Sequence, residues 1–249
     1  MTGRLEVVPV EGLPEIEPAA ELGALIAAAA DPGAEDVVVI SQKVVSKAEG
    51  RLVALDSIEP SAEAAALAAR LGKEPRLVEL ILRESRRIVR AERGVLITET
   101  RTGLICANAG IDSSNLPAEG AVALLPEDPD ASARRLRDEI EASRGARPAV
   151  IIADSFGRPW RVGQTDVAIG CAGLSPLDDW RGRHDRNGRP LAATLIAVAD
   201  QAAGAADLAR EKTAGIPAAI VRGLGRHVTA EDGPGAVALQ RPAEEDLFR

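Results

Sequence analysis

The stretch Ala149-Val150-Ile151-Ile152-Ala153-Asp154-Ser155-Phe156-Gly157-Arg158-Pro159-Trp160-Arg161-Val162-Gly163-Gln164-Thr165-Asp166-Val167-Ala168-Ile169-Gly170 decides how the rest of the chain is read. Its first five residues are one apolar run, as in a strand buried on both faces. The run ends on Asp154 and Ser155. Two arginines, a tryptophan, a glutamine, a threonine and a second aspartate follow, broken by Gly157, Pro159, Gly163 and Gly170. A loop is therefore expected from Asp154 onward. A carboxylate and a hydroxyl at the mouth of a buried strand suit a hard divalent cation. Arg158 and Arg161 suit phosphate or carboxylate, by charge alone. The combination points to metal-assisted handling of an anionic substrate. The plainer alternative is a surface loop with a capped helix start.

Working outward, strands are expected at 5–10, 37–40, 94–98, 104–107, 121–125 and 217–222, with a hairpin around Arg101-Thr102-Gly103. Helices are expected at 21–30, 61–71, 75–86, 132–143 and 191–212, the first stopped by Asp31-Pro32-Gly33. Helices and short strands interleave throughout. The class is α/β, with α+β as the alternative, in one domain over 1–249 with no linker or repeat. The tail from Glu231 is expected to fold only locally.

The chain has 249 residues and a net charge of −8, which argues against a nucleic-acid binder with its basic face. With two Phe, two Trp and no Tyr, base-stacking platforms of the single-strand-binding kind are not expected either. Cys106, Cys171, His184 and His227 show no metal-ligand spacing, and both histidines read as surface residues. No apolar stretch reaches the ~20 residues of a membrane span, and no charged-then-apolar leader opens the chain. A soluble cytoplasmic protein is expected.

Three further clusters carry chemistry. Asp112 lies in the polar run 107–115, past an apolar strand as Asp154 is. Two such carboxylates share a cation if their strands are neighbours; an Asx-rich turn is the alternative. Ser41-Gln42-Lys43-Val44-Val45-Ser46-Lys47 ends a buried strand in hydroxyls and holds two of only four lysines. Lysine there serves as a point charge for phosphate. Asp200-Gln201 offers a third oxygen ligand, or else a solvated helix face. No Walker A pattern and no G-x-G-x-x-G after a strand occurs, so a nucleotide needs a different site.

Together with Gly12-Leu13-Pro14-Glu15, Glu49-Gly50-Arg51, Thr98–Asn115, Asp154–Gly170 and Thr213–Gly223, these segments resemble the coenzyme F420-0:gamma-glutamyl ligases. The resemblance covers about Val7 to Gly223 and implies an unusual mixed α/β fold in an intertwined homodimer. It implies addition of L-glutamate to coenzyme F420-0 with GTP, Mg2+ or Mn2+, and help from K+. GTP contacts are implied at Leu13, Pro14, Glu15, Ile16, Ser41, Gln42, Lys47 and Asn115. Asp112 and Asp154 are implied to hold one metal, and Ser155 helps hold a second. Gln201 stands where many relatives carry Glu. Asp154, Asp112 and Lys47 are then the catalytic group. The segment from Arg241 resembles the junction to a nitroreductase-like domain in two-domain relatives. The chain is thus read as the ligase half, with a separate nitroreductase-like protein as a candidate partner. The rival readings are another metal-dependent phosphoryl or nucleotidyl transferase, and a non-catalytic GTP-binding subunit.

Overall fold

Residues 149–153 form the expected buried strand, and the sheet is built around it. The computed structural model describes residues 3–114, 116, 120–211 and 213–247. In chain order the elements are β1 (Glu6–Pro9), α1 (Leu22–Ala30), β2 (Val37–Ser41), α2 (Gln42–Ala48), β3 (Leu52–Ala54), α3 (Ala62–Leu71) and α4 (Pro75–Arg83). Next come β4 (Ser85–Glu92), β5 (Val95–Thr100), β6 (Ile105–Ala107), β7 (Ala121–Ala123), α5 (Pro129–Arg144), β8 (Ala149–Arg158) and β9 (Arg161–Ala172). The chain closes with β10 (Leu177–Asp179), β11 (Leu195–Ala197), α6 (Val198–Arg210) and β12 (Ala218–Arg222). The class is α/β, as expected.

Five strands pair in the order β1-β12-β2-β8-β9. Only β2 and β8 run parallel, with Ser41 opposite Ala153. Side chains alternate along a strand, so each face of the sheet receives its own core. Val38, Ile40, Val150, Ile152 and Ile220 meet Leu22 and Ile26 of α1 and Leu136 and Ile140 of α5. Val37, Val39, Ala149, Ile151 and Val221 meet Ala199, Ala202, Ala203 and Ala206 of α6. Burial on both faces is why these strands read as unbroken apolar runs. The alanine stripe lets α6 lie close: a Cβ on Gly204 would come within 3.2 Å of Thr165 Oγ1. A second, smaller part packs α3 and α4 on the sheet β4-β5-β6 and beside the pair β3-β7.

Three expectations are corrected. The loop after Asp154 is a hairpin instead: β8 and β9 stay paired from Val150↔Ala172 to Arg158↔Arg161. The breakers sit where a hairpin tolerates them. Pro159 is in the turn, and Gly163, at φ +89°, falls in a register irregularity beside it. The expected helix 191–212 begins only at Val198, because Leu195–Ala197 pair with β10. The tail is pinned rather than local. Arg137, 1% exposed, donates to the carbonyls of Pro148, Thr229 and Ala230 and to Asp232. Asp130 accepts the N–H groups of Ala236 and Val237.

Strand β4 was not legible because it lies in the peripheral sheet and its arginines face outward. His227 is buried, not superficial, and accepts a hydrogen bond from Arg226. No helix among the described residues is long and apolar enough to cross a membrane.

Candidate active site

A cavity of about 430 Å³ opens at the carboxyl ends of β2 and β8, where α/β sheets place their ligands. One wall is the loop after β1, with Leu13, Pro14, Glu15 and Ile16. A second is the end of β2 and the helix it enters, with Ser41, Lys43 and Lys47. The third is the β8–β9 hairpin with Ser155 and Asp166, joined by the end of α6 with Asp207, Arg210 and Glu211. Segments far apart in sequence thus meet because β2, β8 and β12 are neighbours in one sheet.

The two lysines are held differently. Lys43 Nζ donates to Asp112 Oδ2 (2.8 Å), to the Ser114 carbonyl (2.7 Å) and to Ser114 Oγ (2.9 Å). Burial raises the Asp112 carboxyl, but hydrogen bonds from Lys43 and Ser114 outweigh it and hold the group below its ordinary range. Lys47 Nζ makes one hydrogen bond among the described residues, 2.5 Å to Glu15 Oε1. Across the cavity, Ser155 Oγ donates to Asp166 Oδ1 at 2.6 Å, and the other Asp166 oxygen pairs with Arg210. Asp166 and Arg210 are both buried, so each neutralises a charge the interior would otherwise reject.

Asp154 and Ser155 point to opposite sides of β8. Val150, Ile152 and Phe156 face the α1/α5 core and Ala149, Ile151 and Ala153 face α6, so Asp154 shares the first side and Ser155 the second. Burial, followed by the charge of Asp154, pushes the Cys106 thiol up to about 12. Strand β6, which leads to Asp112, packs against β8, which carries Asp154. Asp112 and Asp154 therefore flank the same end of the sheet, the first through Lys43 on α2 and the second one residue past Ala153, which pairs with Ser41.

Of the residues singled out from sequence, Leu13, Pro14, Glu15, Ile16, Ser41, Lys47 and Ser155 come together in the cavity wall. Gln42 does not: it is buried, and its amide oxygen accepts from Ser46. Asn115 lies outside the described residues. Arg158 and Arg161 are not among the residues of this cavity wall. Both are exposed near the hairpin tip, and Arg158 donates to the Val162 carbonyl, tying the turn to itself. Gln201 is not among the residues of this cavity wall either. It is exposed on α6, about 1.7 turns before Asp207 and about 2.5 turns before Arg210, where the helix reaches the cavity. Asp200 accepts the N–H of Ala168 and so braces β9. No three metal-type side chains (Asp, Glu, His or Cys) gather as a ready ligand set among the described residues.

Asp207, Arg210 and Glu211 were missed in the sequence, and Asp166 was noticed without a role. The signal available was a lone arginine ending an alanine-rich helix, which has no meaning until its partner on β9 is known.

The chain matches the family model described as F420-0:Gamma-glutamyl ligase over residues 12–223. The chain belongs to that ligase family. Its match starts just before Leu13 and ends after Pro217, so it spans every residue of the cavity wall. Relatives named coenzyme F420:L-glutamate ligase cover the chain nearly end to end. The one from Methanopyrus kandleri is 47% identical over all of this chain and 98% of its own length. That from Methanothermobacter thermautotrophicus is 43% identical over 98% of this chain and 99% of its own length. That from Methanocaldococcus jannaschii is 43% identical over 86% and 84%.

Proposed function

We propose that this chain, as one ligase domain over 1–249, joins L-glutamate, in one or more gamma-linked units, to coenzyme F420-0 at the expense of GTP. The observation that carries the reading is the cavity itself. It gathers the Leu13–Ile16 loop, Ser41, Lys47 and Ser155, in a chain whose family and named relatives are glutamate ligases of coenzyme F420.

A carboxylate is a poor electrophile and an amine does not displace its oxygen unaided. Transfer of the γ-phosphoryl of GTP to the acceptor's terminal carboxylate gives an acyl phosphate. The glutamate amine then attacks the acyl carbon, and inorganic phosphate leaves. Lys47 supplies fixed positive charge to the phosphate chain, and the walls hold the reactants together so that attack becomes intramolecular in effect. Ser155 has its hydroxyl hydrogen committed to Asp166, so it presents oxygen lone pairs to whatever it meets in the cavity.

The donors Asp112, Asp154 and Ser155 are hard oxygens. Cys106, the thiol near Asp154, stays protonated, and no imidazole lines the cavity. That set fits Mg2+ or Mn2+ rather than zinc. Asp112 and Asp154 would hold one ion and Ser155 would help hold a second. Such ions neutralise charge on phosphoryl oxygens. Gln201, a neutral amide exposed on α6, would add no charge to that second site. A K+ requirement, a cytoplasmic location and a separate nitroreductase-like partner belong to the same reading and rest on the family resemblance. A homodimer does as well, and Trp160 and Val162, 72% and 95% exposed near the hairpin tip, are apolar surface that a second copy would cover.

Mass spectrometry of coenzyme F420-0 incubated with GTP, Mn2+ and glutamate tests the reaction. A ladder of glutamyl additions is expected. GTP bound but never consumed would leave a non-catalytic binding subunit. Asp112→Asn and Asp154→Asn should each abolish the ladder while circular dichroism stays native. Turnover by either variant near the native rate at saturating metal would remove the carboxylates from the mechanism.

A further inference from the structure

We infer that Glu15 is an internal competitor for Lys47: its carboxylate takes the place that a phosphate oxygen takes when a polyphosphate enters the cavity. The inference rests on the reading of the cavity as a polyphosphate site and adds a residue that sets its affinity. The Lys47 side chain is 8% exposed, whereas that of Glu15, its partner at 2.5 Å, is 66% exposed. A buried ammonium is thus neutralised by a carboxylate that stands mostly in solvent. Lys43 offers no such exchange, since its three N–H groups already meet three acceptors on Asp112 and Ser114. Of the two lysines in the wall among the described residues, Lys47 is the one whose charge passes to an entering anion by breaking a single described hydrogen bond.

The loop that carries Glu15 is fastened before it at Val10, whose N–H donates to the Ala218 carbonyl at 2.9 Å, and again just after it. Ile16 is buried in the core beside it, and the Ala19 N–H donates to the Ala48 carbonyl at the end of α2 at 2.7 Å. The exchange therefore needs only a new side-chain rotamer of Glu15, with its carboxylate turning to water at the cavity mouth. Every phosphate that engages Lys47 works against this contact. A single small anion, with one contact to offer, gains little. A polyphosphate that also touches the other walls overcomes the same fixed opposition.

The test is calorimetric titration of inorganic tripolyphosphate, without divalent metal, into the full chain and three variants: Glu15→Gln, Lys47→Met and the double change. Met keeps the buried stem of Lys47, and circular dichroism verifies each fold. Glu15→Gln is expected to tighten binding about fivefold, the scale of one partly exposed ion pair. Lys47→Met is expected to weaken it, and adding Glu15→Gln to Lys47→Met to change nothing further. Weaker or unchanged binding by Glu15→Gln, while Lys47→Met still weakens it, overturns the competition and leaves the cavity reading standing. Equal tightening in the Lys47→Met background also overturns it, because the effect is then general repulsion. A Lys47→Met chain that binds as well as the native one overturns both the inference and the cavity reading.

Discussion

Lys43 and Lys47 are one helical turn apart on α2 and carry the same charge, yet their surroundings give them different parts. Lys43 is consumed in holding Asp112 and Ser114 to the cavity wall, and Lys47 is left with one exchangeable partner among the described residues. The same dependence on surroundings governs the thiols. Cys106 and Cys171 are buried and form no disulfide. Burial pushes both thiols up to about 12, with help from Asp154 for the first and from Asp130 and Asp200 for the second. A thiol reacts as its thiolate, and at pH 8 a group that ionises near 12 is thiolate to only about one part in ten thousand. Raising the pH toward 10 still leaves it below that value. Ellman's reagent should therefore label neither cysteine of the native chain at pH 8, and both after unfolding in guanidinium. Rapid native labelling of either would contradict the burial described here.

At the scale of elements, close approach is set by what is missing from a side chain. Gly170 on β9 lies under the start of α5, where an added Cβ would come within 2.3 Å of the Pro129 carbonyl oxygen. Backbone of a capped helix start cannot retreat as a flexible side chain does: Asp128 accepts from the Ala131 N–H and Asp130 from the Cys171 N–H. Gly170→Ala is expected to destabilise the chain by about 1–3 kcal/mol through overpacking. Urea unfolding followed by circular dichroism measures it, and an unchanged midpoint would mean that α5 shifts without cost. A similar close fit explains the alanines of α6. They let the helix end at Arg210 near enough to pair with Asp166, and that pair is part of the cavity wall.

For the whole molecule, the long β8–β9 hairpin carries apolar surface out to water. Its strands share the sheet at their base, and Trp160 and Val162 extend to water near the tip. If the proposed homodimer interlocks through such arms, folding and association are one equilibrium, and stability depends on protomer concentration. Dilution is then expected to lose activity and fold together. Light scattering with circular dichroism over a dilution series would decide; a stable, active monomer would end the proposal.

Local sequence was enough for the buried strands, the hairpin of β5 and β6 around Arg101-Thr102-Gly103 and the helices α1, α3 and α5. It also determined the family, because the Asp154–Asp166 segment is long and specific. Apolar runs and caps are local signals, and they survived into the structure. Only the tertiary structure decided that the segment after Asp154 stays extended, since pairing with β9 satisfies backbone groups that glycine and proline otherwise leave to a loop. It alone decided that Asp154 and Ser155 face apart, that Arg210 rather than Arg158 or Arg161 reaches the cavity, and that Gln201 does not. The physical reason is that a strand alternates its faces and a helix turns its residues away every 100°. Which charge enters a site then depends on register and on the neighbour across the sheet, and neither is written in local sequence.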